Sequence, residues 1–282
     1  MISRSIAQLV PAIDTQDGVG VRLRRALGAQ PGARLDPLLM LDAFSSDDPG
    51  DYIAGFPAHP HRGFETVTYI LDGHMLHEDH LGNRGDLIAG GVQWMSAGRG
   101  IIHSEMPQQT AGRLRGFQLW INLPASEKMK PASYRDIAPD EIPRVTLATG
   151  VVVKVIAGHL AQGDSEIEGP ITGGVTEALY LDVALPAQTA CEIPVPMLHN
   201  CLLYVFEGAL LVNGSPVPSA TTALLGPGDA VQLAATSVPA RCLVIGGKPL
   251  NEPIVQYGPF VMNTRQEIEQ AMRDYQSGHL TD

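Results

Sequence analysis

The chain has 282 residues, 44% of them hydrophobic, enough for two domains of ordinary size and against a disordered polymer. Its 30 acidic residues against 19 basic ones give a net charge of −11. With no Lys/Arg run, that balance excludes a broad electrostatic footprint on nucleic acid. The densest basic cluster, Arg22, Arg24 and Arg25, reads as a solvated strand or turn. Cys191, Cys201 and Cys242 are odd in number and form no C-x-x-C pair, which argues against a disulfide framework or a thiolate zinc site. Reduced thiols in apolar strands, an N-terminus without a secretory h-region, and no apolar run near the roughly 20 residues of a membrane helix together predict a cytoplasmic chain.

Thirty glycines and 22 prolines favour short strands and turns over long helices. Residues 2–28 read as short strands, with Val19, Val21 and Leu23 alternating. Residues 42–55 read as a loop rich in Ser, Asp, Pro and Gly. Phe64, Thr66, Thr68 and Ile70 then share one face of a strand that ends at the hairpin signal Asp72-Gly73. Further turns fall at Gly82–Asp86, Gly90-Gly91 and Ala97–Gly100, and the strand 117–123 stops at Pro124. This succession is that of a small barrel or sandwich. Residues 126–143 read as a polar wrap or crossover, 151–158 as a buried strand, and 161–174 as the weakest part of the pattern. The expected domains are therefore 1–165 and 166–282.

The second half echoes the first. Tyr69–Gly73 returns as Tyr204–Gly208, an offset of 204 − 69 = 135 residues, and Gly85-Asp86 has an echo in Gly228-Asp229. His199-Asn200-Cys201 precedes the second hairpin, but nothing there matches a metal constellation, so the second barrel reads as structural. Thr264-Arg265-Gln266-Glu267 is a capping box. Ile268, Ala271, Met272 and Tyr275 follow at helical spacing, predicting a short helix from about Arg265 to before Gly278.

The chemistry concentrates in residues 56–107. In a strand, residues i and i+2 face the same way. His59 and His61 can thus share a cavity, as can His103 and Glu105. Three imidazoles and one carboxylate suit one divalent first-row metal with positions left for substrate. The blocks Phe56–Tyr69 (FPAHPHRGFETVTY) and Val92–Pro107 (VQWMSAGRGIIHSEMP) resemble the pirin family of the cupin superfamily, and the C-terminal segment is similar too.

The resemblance implies an all-β chain of two cupin-type barrels in tandem with a short C-terminal helix. It implies one metal, Fe(II), in the first barrel, on the positions matched by His59, His61, His103 and Glu105. It further implies quercetin 2,3-dioxygenase-type ring cleavage of a flavonol-like substrate. The alternative is a non-enzymatic, redox-sensitive iron protein that binds a protein partner. General cupins use a first-motif Glu, here Glu65. The pirin pattern favours Glu105 as ligand and leading base. It leaves Glu65 to orient a ligand histidine or Arg62 and to stand second as base. His74, His77 and His80 read as exposed or rim residues on a hairpin strand, sharing no face; His80 stands where pirins commonly carry serine.

Overall fold

The computed structural model describes residues 1–29, 34–163 and 165–282. The chain forms two compact units, each assembled from separate stretches of sequence. One comprises Asp14–Arg25, Leu39–Pro139 and Leu250–Asp282; the other comprises Met1–Ile13, Ala26–Leu38 and Asp140–Pro249.

In the first unit a seven-stranded sheet runs in the order Ser133–Ile137, Val92–Ser96, Phe64–Asp72, Leu114–Asn122, Leu38–Ser46, Val21–Leu27, Ile13–Asp17. A four-stranded sheet runs Phe56–His61, Ile101–Pro107, His74–Asp79, Arg84–Ile88. Leu23, Phe44 and Ile70 from the larger sheet meet Met75 and Leu87 from the smaller in one buried cluster. Burying each such side chain contributes roughly 1.5–3 kcal/mol, which holds the two sheets face to face.

The second unit repeats this plan strand for strand. Its seven-stranded sheet runs Ile6–Pro11, Thr221–Leu225, Asn200–Glu207, Ala240–Gly247, Leu179–Leu185, Val152–Ala157, Arg144–Thr146. Its four-stranded sheet runs Ala190–Pro194, Ala230–Ala235, Leu210–Val212, Ser215–Val217. Val153, Leu181, Leu203 and Val244 pack with Ile193, Leu210 and Val231 across the interior. The all-β, two-barrel expectation holds, and Tyr69–Gly73 and Tyr204–Gly208 do occupy matching strands. Gly85-Asp86 and Gly228-Asp229 do not. The first lies in Arg84–Ile88; the second precedes Ala230–Ala235, the counterpart of Ile101–Pro107.

A single cut at 165/166 differs from these units. Ile6–Pro11 pairs with Thr221–Leu225, Leu9 opposite Ala223, and so completes the second barrel's sheet. Residues 161–174, expected as the boundary, begin with a hairpin of His159–Gln162 and Ser165–Glu168 inside the second unit; residue 164 lies outside the described residues. The C-terminal helix, Arg265–Gln276, belongs with the first barrel rather than the second. Its capping box is formed, and Ile268 and Ala271 pack with Phe260, Met262 and Leu280 against Ile102. Two stretches read as irregular contain strands. Leu38–Ser46 runs into the expected loop 42–55, and Ser133–Ile137 pairs with Val92–Ser96 inside the expected wrap 126–143. Edge position hid Ser133–Ile137, because an edge strand needs an apolar residue only on its inner face, whereas Leu38–Ser46 is an interior strand whose polar last residues, Ser45 and Ser46, read as loop. No helix among the described residues is long and apolar enough to cross a membrane.

Candidate metal centre

Ile101–Pro107 lies between two partners and brings the site together. His103 stands opposite His59 on one side, and Glu105 opposite His77 on the other. Alternation along Phe56–His61 turns His59 and His61 to the same face, as their spacing predicts. The ligand nitrogens of His59, His61 and His103 lie within 4.8 Å of one another. Ring centroids are separated by 4.7 Å for His59–His61, 4.4 Å for His59–His103 and 5.0 Å for His61–His103.

The donors are prepared for a metal. His59 Nδ1 is 2.8 Å from the Pro57 carbonyl, so it carries the proton and leaves Nε2 as the free lone pair. Buried atoms Nε2 of His103 and Nδ1 of His61 have no hydrogen-bond partner. Buried polar atoms without partners are costly, and a cation accepting their lone pairs would relieve that cost. Burial, and next the neighbouring imidazoles, hold His61 and His103 well below the ordinary imidazole range. Both are therefore neutral bases at pH 7, the form that coordinates. The three residues fit a divalent metal.

That depression sets a pH dependence. With folded values below about 6.5, the unfolded chain takes up protons first as pH falls. Chelated, metal-free protein should lose stability as pH drops through about 6.5 and level off below the lowered folded values. Thermal melts between pH 8 and 5 check this; a flat profile from these two residues would contradict it.

Glu105 is buried on the same strand face as His103, but it is not among the three groups that converge. Register shifts between the two residues, and Thr68 Oγ1 lies 2.9 Å from Glu105 Oε1. Thr68 is also 2.5 Å from Gln118 Oε1. One hydroxyl proton serves only one acceptor, so the Gln118 amide, turned to present its NH₂, completes a chain Gln118→Thr68→Glu105.

Glu65 is elsewhere. It accepts from Trp94 Nε1 at 3.1 Å and pairs with Lys130 at 3.6 Å. It sits one residue out of phase with Phe64, Thr66 and Thr68, hence on the opposite face of the strand from Thr68. It does not orient Arg62, which donates to the carbonyls of Arg99 and Leu280 and to Asp274. Its expected roles as orienting partner and second base lose their geometric basis.

His77 is the residue that sequence reasoning missed. It is buried, not a rim residue, with Nδ1 3.5 Å from Nδ1 of His103 and its ring stacked on Tyr134. One proton shared between those nitrogens directs His103 Nε2 into the site. The signal was the period-two step from Met75 to His77 to Asp79, obscured by the helical spacing of His74, His77 and His80. His77→Phe should keep the fold and weaken metal binding by roughly 10–100-fold, as loss of an outer partner does; chelator competition measures it. His74 and His80 do sit at the periphery, His74 beside Asp86 and His80 accepting from the Ile102 amide.

Two glycines allow the turns that carry these strands. Gly63 (φ +89°) and Gly98 (φ +48°) are left-handed, and an added Cβ would collide with the carbonyls of Val261 and Lys130 respectively. Phe64 and Trp120 wall the site beside His61, with centroids 5.1 and 5.3 Å from its ring.

The family model Pirin matches residues 20–121, and the Pirin C-terminal cupin domain matches residues 180–281. The chain is 54% identical over 98% of both lengths to a Pseudomonas aeruginosa protein provisionally named a quercetin 2,3-dioxygenase. It is 49% identical to a pirin-like protein of Caulobacter vibrioides, covering 98% of this chain and 99% of that one. Its fold matches the crystal structure of a quercetin 2,3-dioxygenase from Acinetobacter baumannii with a TM-score of 0.90 and 32% identity, covering 99% of this chain and 98% of that one.

Proposed function

The chain belongs to the pirin family, and on that premise we propose that its first barrel is an iron(II)-dependent dioxygenase for a flavonol-like substrate. The observation that carries this reading is the convergence of three imidazoles, those of His61 and His103 buried and neutral, near a carboxylate with its own hydrogen-bond support. His59, His61, His103 and Glu105 would hold the metal, which when bound supplies the redox chemistry that spin-paired organic molecules need to react with dioxygen.

The protein's own residues do the rest. Neutral His61 and His103 add no charge to that of a bound metal, which favours a deprotonated substrate. Glu105 takes the proton of the flavonol hydroxyl, making the ring electron-rich. Thr68, held in turn by Gln118, keeps the receiving carboxylate in place. Phe64 and Trp120 offer an apolar wall to a flat aromatic substrate. The ring then opens with incorporation of dioxygen and release of carbon monoxide. Three free thiols, with burial pushing those of Cys191 and Cys201 up to about 11, fit a reducing cytoplasm.

Oxygen uptake by iron-loaded protein of known metal content, with quercetin added, tests the proposal beside His59→Ala. Uptake that is lost in the variant supports it. No uptake by fully loaded protein overturns it and leaves a metal-bearing protein that acts through a partner.

A further inference from the structure

The second barrel contains a cavity of about 460 Å³, within the roughly 300–1,000 Å³ of small-molecule sites. It lies between the hairpin His159–Glu168, the turn 173–179 and the segment 194–199, all in one unit. Its floor and walls are apolar, with Leu179 and Val195 buried. Val175, Met197 and Leu198, beside these lining segments, leave apolar side chains in solvent, Leu198 being 76% exposed. Exposed apolar side chains beside a concave site are what an amphipathic ligand would cover.

Its polar groups are specific. His199 is buried, with Nε2 3.8 Å from Glu177 Oε2; His159 Nδ1 is 3.8 Å from Glu166 Oε1. Both separations exceed a direct hydrogen bond, so neither imidazole satisfies its carboxylate. Lys248 pairs with the other oxygen of Glu177 at 3.2 Å and leaves Oε2 to face His199. Burial, partly opposed by Glu177, lowers the pKa of His199, keeping it neutral. Among the described lining residues there are two carboxylates and neither lysine nor arginine. These four groups do not converge as metal ligands do, since the described residues contain one such cluster, in the first barrel.

The site is also built from below. Buried Arg4 donates to the carbonyls of Pro196, Met197, His199 and Gly226, fixing the segment that carries the rim. Glu177 itself adopts φ +45°, a conformation few non-glycine residues hold.

We propose that this cavity binds a small organic amine, its ammonium group held by Glu177 with Glu166 beside it, and its apolar body on Leu179 and Val195 under the Met197–Leu198 rim. An anion would meet two carboxylates with no lining cation. Lys248 already offsets part of the Glu177 charge, and a neutral alcohol would supply no charge for Glu166.

Calorimetric titration of the metal-loaded full chain with 2-phenylethylamine, benzylamine and tryptamine tests this, with 2-phenylethanol and phenylacetate as neutral and acidic counterparts. At least one amine should bind, and phenylacetate at least about tenfold more weakly. Glu177→Gln, an exposed and near-isosteric change, should weaken the amine about tenfold or more, as loss of a charged hydrogen bond does. Metal-free His59→Ala should bind the amine unchanged, separating this site from the oxygenase reading. Absence of amine binding, equal binding of phenylacetate, or an indifferent Glu177→Gln overturns the proposal.

Discussion

His61→Ala should abolish stoichiometric metal binding while leaving the metal-free protein folded. His61 is buried, and its Nδ1 has no hydrogen-bond partner. Its contribution to the metal-free protein is therefore ring contact with Phe64 and Trp120 and one hydrogen bond to the Pro259 backbone. Removing it leaves two imidazoles where three converge. The affinity loss should exceed the roughly 10–100-fold expected for an outer partner such as His77. Elemental analysis and chelator competition would read the loss. The metal-free melting temperature of the variant should stay near that of the metal-free parent, because the Pro259 carbonyl still accepts from the Arg62 amide. A variant that binds metal normally, or one that unfolds without metal, would contradict a ligand role.

Lys128→Met should be the most destabilising single change in the first barrel. Lys128 is 1% exposed, and its ammonium donates to Gly63 O at 2.7 Å, Asn122 Oδ1 at 2.6 Å and Val261 O at 3.0 Å. Burial pulls its pKa down to about 8, still above neutral, so three hydrogens meet three acceptors at pH 7. Methionine fills similar volume but strands all three acceptors. Each stranded buried group costs about 1–3 kcal/mol, so a loss of about 3 kcal/mol or more is expected. For a chain of this size that corresponds to roughly 6–12 °C in melting temperature. The effect should reach the metal centre, since Gly63 follows His61 and Arg62 and its carbonyl sets the turn into Phe64. Metal affinity should fall together with stability, unlike His61→Ala, where only affinity falls. Calorimetric melts and chelator titration distinguish the two patterns, and an unchanged melting temperature would remove Lys128 from this role.

Between the two variants lies the difference between what local patterns encode and what folding assembles. His59-x-His61 and His103-x-Glu105 were legible because a strand repeats every two residues, so spacing alone places a pair on one face. The capping box at Thr264 and Glu267 was legible for the same local reason: its hydrogen bonds close within one helical turn. The hairpin at Asp72-Gly73 and its echo at Gly208 likewise needed only turn chemistry.

Other features depend on partners distant in the chain. His77 joins His103 because His74–Asp79 pairs with Ile101–Pro107 in a register that puts His77 opposite Glu105. Nothing in residues 74–80 announces that strand partner. Glu105 meets Thr68, a residue of the other sheet, while Glu65 turns to Trp94 and Lys130. Ile6–Pro11 completes a sheet made of residues beyond 140, and the helix from Arg265 packs beside Ile102. Sequence by itself determined which of these side chains share a strand face, the barrel repeat and the terminal helix, since backbone periodicity and caps act over a few residues. Tertiary structure alone decided which barrel each terminal segment completes, which carboxylate stands by the histidines and which imidazole supports them, because β-pairing selects partners by register and burial across the whole chain.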